Sequence, residues 1–258
     1  MTSHPGEYLY CIVECSQERT FGGVAPVGGG EAPVHTVPWN GLAAVVSDSA
    51  TEEYDITRAN MLAHQRVQER VMLEYTVLPV RFGTVARQEC PGELVRKLLA
   101  ARRQEFCHLL EEMDDGVELG LKALWRDEKA IFQEVVGQDA AIRRLRDSIE
   151  GKPLQATHFQ RIRLGEMVKK SMDQKRATEM QGILAPLRQI ATRTVENNPL
   201  ADRMVANAAF LVDRRQEKAF DQAVAKLDQE MGHRMSFKYV GPVPPYNFVN
   251  IIVNWQGL

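Results

Sequence analysis

His64 and Arg81 are the residues whose types and setting could do chemistry. The helical stretch that carries His64 runs straight into the strand-like stretch that carries Arg81. The two would meet if that helix covers Arg81's side of a sheet. A histidine can serve as base or ligand, and an arginine can hold an anion. His64 has no HxxxH or HExxH companion, so metal-ligand spacing is missing. At the border of an apolar helical stripe, its plain reading is a hydrogen-bonded boundary residue. Arg81 stands inside an apolar run, where an isolated charge is usually paired. Cys11, Cys15, Cys90 and Cys107 form no CxxC pair and read as reduced thiols. Cys11 and Cys15 share a strand face and read as small buried hydrophobes rather than a metal pair. The glycines between Ser16 and Pro33 match neither GxxxxGK[ST] nor GxGxxG, so that stretch is a connector. No nucleophile, base and acid fall into one constellation, so no enzymatic activity, cofactor or metal is expected.

These residues are placed by recognisable elements. Tyr8–Cys15 alternates as a strand, with Leu9, Cys11 and Val13 on one face and Tyr8, Tyr10 and Ile12 on the other. Val34–Pro38 predicts a short strand. Leu42–Ser47, a continuous apolar run, predicts a central one. Thr57 caps a helix over Arg58–Tyr75, whose apolar stripe is Ala59, Leu62, Ala63, Val67, Val71 and Leu73. Thr76–Val85 (TVLPVRFGTV) then alternates, with Leu78, Val80 and Phe82 opposite Val77, Pro79 and Arg81. Pro79 suggests an edge or a bulge, and Gly83 a tight turn. One helix follows from Pro91 towards Gly116.

Val117–Trp125 alternates again. Glu128–Ile149 predicts a helix, broken by Gly151 and Pro153, and Thr157–Val195 a long one that Pro186 kinks or bounds. Together they suggest an antiparallel helical pair. Their methionines read as ordinary packing, and Lys169, Lys170, Lys175 and Arg176, offset by acids, as a solvated face. Met204–Asp213 predicts a strand, Gln216–Met231 an amphipathic helix, Met235–Tyr239 a strand, Gly241–Pro245 a rigid turn and Phe248–Val253 a last strand.

The expected fold is α+β in two domains. Residues 1–115 form a ferredoxin-like first domain. Residues 116–258 form an α+β second domain, a ferredoxin-like variant with a helical insertion at about 128–198. The 258 residues carry a net charge of −2, with 44% apolar and 26% charged residues, so no basic field points to nucleic acid. MTSHPGEYLY has no basic region followed by an apolar one, and no apolar run reaches the ~18–20 residues that span a bilayer. Neither a signal peptide nor membrane insertion is expected.

VLPVRFGTV after a helix bearing His64, with GPVPPYNFV at Gly241–Val249, resembles the signature of the GvpL/GvpF family of gas vesicle proteins. GLAAVVS at Gly41–Ser47 and NAAFLVDR at Asn207–Arg214 extend the likeness over nearly the whole chain. The resemblance implies a non-enzymatic cytoplasmic protein associated with the gas vesicle and needed for its formation. It implies contacts with the major shell protein and with other accessory proteins. It does not choose between F and L. The candidate contact residues are Leu78, Pro79, Arg81, Phe82 and Gly83, with Pro242, Pro244, Pro245 and Tyr246. An unpaired strand edge at either motif would hold an apolar subunit by strand addition. The alternative is a tandem ferredoxin-like protein that binds a small ligand through His64, Arg81 and a nearby acid, or a haem through a histidine axial ligand.

Overall fold

A computed structural model describes residues 6–87 and 90–257. The first five residues of the stretch read for a leader lie outside the described residues. The chain is mixed α+β, with antiparallel strand pairing and one long helix. It divides into two compact units, Met1–Glu118 with Gly241–Leu258, and Leu119–Val240.

The first sheet is built from β1 (Gly6–Glu14), β2 (Thr20–Phe21), β3 (Val34–Trp39), β4 (Leu42–Ser49), β5 (Leu78–Pro79) and β6 (Val85–Ala86). Its order is β2-β3-β4-β1-β5, with β6 also on β1. The continuous apolar run of β4 does occupy a central place, antiparallel to both β1 and β3. β1 departs from simple alternation. Its register against β4 shifts between Leu9 and Cys11, a bulge at Tyr10. One extra residue turns the following side chains over, so Tyr8, Tyr10, Cys11 and Val13 all join one core cluster. The predicted opposition of Tyr10 to Cys11 is lost for that reason.

Helix α1 (Arg58–Met72) covers this cluster with Val67, Val71 and Met72. Thr57 caps it, accepting from the Asn60 N–H. Its buried face is His64, Val67, Gln68, Val71 and Met72, whereas Leu62 and Leu73 of the expected stripe are exposed. The predicted helix after Pro91 is two, α2 (Pro91–Ala101) and α3 (Arg103–Glu112), broken at Arg102. Thr76–Val85 is not one strand. β5 and β6 are two residues each, separated by a turn in which Gly83 takes φ +82°, a conformation glycine adopts without Cβ strain.

The second sheet has the order β10-β7-β9-β8, from β7 (Gly116–Trp125), β8 (Arg193–Glu196), β9 (Met204–Asp213) and β10 (Met235–Val243). With α7 (Glu217–Met231) between β9 and β10, the succession is β-α-β-β-α-β, the ferredoxin-like arrangement. Its first helical position is expanded into α4 (Glu128–Gln138), α5 (Ala140–Ile149) and α6 (His158–Arg188). The expected helix over 128–149 is split because Asp139 caps α5, accepting from the Ala141 and Ile142 N–H groups. α6 spans 31 residues, about 46 Å, and ends before β8 rather than running to Val195. Met167 and Met172 pack on Val135, Val136 and Ile142, the ordinary packing expected of them.

α6 is fixed by a group of charges. Glu179 accepts from Trp125 Nε1 (2.6 Å) and pairs with Arg234 (2.7 Å) and Lys175 (3.4 Å). Glu134 of α4 pairs with the same Lys175 and Arg234. Lys169 and Arg176 pair with Asp173. Lys169, Lys175 and Arg176 each have an acid within reach, as the sequence suggested, but Lys175 and Arg176 are half-buried against the rest of the unit rather than part of a solvated face.

Candidate functional site

The two signature stretches meet in the first unit around a buried polar group. His64 is 5% exposed and Gln68, one turn later, is fully buried. His64 Nδ1 lies 3.0 Å from the Tyr8 hydroxyl, and Nε2 lies 3.2 Å from the Val80 carbonyl. The Gly83 N–H donates to the same Tyr8 hydroxyl (3.0 Å). The Gln68 amide donates to the Tyr10 carbonyl (2.6 Å), and its Oε1 accepts from the Tyr246 hydroxyl (2.8 Å). In one tautomer Nε2–H donates to Val80 and Nδ1 accepts from Tyr8. In the other, Nδ1–H donates to Tyr8 and the Gln68 amide, 2.9 Å away, donates to Nε2. The ring is neutral in both. Burial pushes its pKa down from 6.5 to about 4, against the opposing bond to Val80.

This arrangement positions rather than reacts. Both imidazole nitrogens are engaged, which leaves neither for a haem iron or a substrate proton. Burial also raises the Tyr8, Tyr10 and Tyr246 hydroxyls and the Cys11 thiol, so none is an activated nucleophile. The four cysteines are free thiols. Among the described residues, no cluster of three or more His, Cys, Asp or Glu is placed to hold a metal. No helix there is long and apolar enough to cross a membrane.

The candidate contact residues separate by exposure. Leu78 and Pro79 are buried opposite Ile12 and Cys11 of β1. Pro244 and Pro245 are also buried, and Pro245 caps a turn by accepting from the Phe248 and Val249 N–H groups. Those four pack and shape the chain. Phe82 is half-buried, its ring edge-on to both Tyr8 and His64. Arg81, Gly83 and Pro242 are exposed, and Tyr246 is 39% exposed with its hydroxyl turned inward to Gln68. Arg81 and His64 are thus not partners. Val80 bridges Ile251 in parallel, and the Arg81 N–H donates to the Ile251 carbonyl (3.2 Å). The segment after Phe248 is therefore not the predicted strand but an extended tail tied to this bridge. Glu118 holds the turn just before it, accepting from the Asn247 N–H (2.7 Å) and side-chain amide (2.6 Å).

A cleft of about 750 Å³ opens beside the turn, between Arg81–Val85 and Ile252–Gln256. Arg81, Phe82 and Trp255 line it, so it offers a cation beside aromatic surface. Gln68, Tyr8 and Tyr10, which build the buried network with His64, were not read as site residues from the sequence. The signal available was the four-residue spacing of His64 and Gln68, which puts two polar groups on one helix face.

The family described as "Gas vesicle synthesis protein GvpL/GvpF" matches residues 6–250. Gas vesicle protein F of Streptomyces sp. strain CB03234 is 31% identical over 94% of this chain and 98% of its own. Gas vesicle protein L of the same organism is 27% identical over 95% and 93%. The crystal structure of GvpF from Anabaena sp. PCC7120 superposes with a TM-score of 0.85, at 26% identity over 96% of this chain and all of that one. That from Microcystis aeruginosa gives 0.78, over 95% and 98%. With motifs, whole-chain similarity and fold in agreement, this chain belongs to the GvpL/GvpF family of gas vesicle proteins.

Proposed function

We propose that this protein is a non-enzymatic assembly factor of the gas vesicle. It acts in the cytoplasm, at the vesicle, and holds the major shell subunit together with other accessory proteins. The observation that supports a binding role is the open cleft that the first signature stretch forms with Ile252–Gln256, beside a neutral buried network on which both signature stretches converge. The cleft takes a partner through Arg81, the exposed rim of Phe82 and Trp255. Strand addition does not fit the Thr76–Val85 stretch, because β5 has β1 on one side and the Ile251 bridge on the other.

The test is binding of the full chain to purified shell subunit, with Arg81→Glu as the variant. Arg81 is exposed, so the change leaves the core intact. A loss of about tenfold or more in affinity is expected, in line with removal of a charged contact worth about 1.4 kcal/mol or more. Unchanged binding overturns the cleft as the site. No binding by the unaltered chain overturns the shell subunit as partner.

A further inference from the structure

A second surface stands apart from that cleft, in the helices of the second unit. α4, α5 and α6 enclose a groove of about 560 Å³ whose floor is Val136, Ile142, Leu164 and Val168. Phe132, 47% exposed, stands at its edge. The charged side chains that line it are cations, Arg146, Arg161 and Lys169, of which Arg146 pairs with Asp147 and Lys169 with Asp173 outside the lining. Arg161 donates to the Thr157 hydroxyl, and no carboxylate pairs with it among the described residues. Gly165 lies on the α6 face of the groove, and a Cβ built there meets nothing within 4 Å. A glycine inside a helix costs roughly 1 kcal/mol relative to alanine. Packing within this chain gives no return for that cost, whereas the close approach of another backbone does.

We infer that this groove docks an amphipathic helix from a partner protein, one that carries carboxylates beside its apolar stripe. A helix fits because the walls are themselves helices with their backbone groups already bonded. They offer apolar hollows between ridges and no strand edge to extend. Carboxylates fit because an approaching helix meets Arg161, which has no carboxylate partner among the described residues, flanked by the exposed pairs of Arg146 and Lys169, which can exchange partners, so charge complementarity selects its flanks. The inference does not depend on the shell-subunit reading, and its test uses no gas vesicle component.

The probe is a fluorescein-labelled peptide of roughly 18 residues, five helical turns, with a leucine stripe flanked by glutamates. Its control has lysine at each glutamate position. Fluorescence anisotropy with the full chain is expected to show binding of the acidic peptide and at least about tenfold weaker binding of the basic one. Gly165→Leu puts a side chain into the groove from a position where an added Cβ meets nothing, and is expected to remove binding, with circular dichroism confirming an unchanged fold. Arg161→Glu with Lys169→Glu is expected to reverse the preference. Equal affinity for both peptides, undiminished binding by G165L, or no binding of the acidic peptide overturns the proposal. A dimer in sedimentation velocity that G165L abolishes assigns the groove to a second copy of this chain, and overturns it too.

Discussion

His64 shows how one residue sets a condition for the whole first unit. It is neutral in the folded protein down to about pH 4, whereas the unfolded chain takes up a proton near 6.5. The folded pKa is the lower one, so the stabilising network is fully present above pH 6.5 and its contribution is lost as pH falls towards 4. The shift corresponds to about 3 kcal/mol. Glu7 and Glu118, raised mainly by burial, work in the opposite sense at the acid end, so the comparison must be with a variant. Urea denaturation of the parent and His64→Asn should show the largest gap above pH 6.5, narrowing towards pH 4.5. A gap that stays constant means that His64 does not carry this pH dependence. The sequence made His64 and Arg81 visible but mis-set their surroundings. Periodicity put His64 at a boundary, because it weighs side chains by polarity and cannot know that Tyr8, Gln68 and a carbonyl are waiting in the core. Arg81 read as a paired charge, yet among the described residues only its backbone is hydrogen-bonded.

At the level of elements, α6 depends on Glu179, which answers Trp125, Arg234 and Lys175 together. Glu179→Ala leaves the Trp125 N–H without its acceptor and two cations sharing Glu134. It should cost about 2 kcal/mol or more in urea denaturation. Glu179→Gln keeps an acceptor for Trp125 and should cost less. Equal costs would mean that the ion pairs, not the indole bond, carry the effect. The well-marked elements were legible because one signal dominated each. The apolar run of β4, the Thr57 cap of α1 and the stripe of α7 are examples. The breaks were not. The turn at Arg102 and the cap at Asp139 interrupt stripes that continue in phase on either side, so local periodicity passes over them. The bulge at Tyr10 depends on the register of the partner strand, which no window of one strand contains.

For the molecule as a whole, the segment after Val240 belongs with the first unit. Val80 meets Ile251, Gln68 meets Tyr246, Glu118 meets Asn247, and Arg102 donates to the Ile252 carbonyl (2.9 Å). Removing residues 247–258 should speed amide exchange in β1, β5 and α1 and leave α5 and α7 unchanged. Equal acceleration in both units would show that they fold as one cooperative body. These partners lie more than a hundred positions apart in the chain, and nothing in the local pattern of PPYNFVNIIV names Gln68 or Glu118 as its contacts. The same connectivity fixes an order of events during synthesis. β1 and α1 leave the ribosome early, but the residues that close over Gln68 and Val80 arrive only after the second unit. At ~5–20 residues per second, the second unit takes on the order of ten seconds to be made in between. Through that interval the Arg81 turn waits without its tail, and a premature stop just after the second unit strikes the unit that was made first.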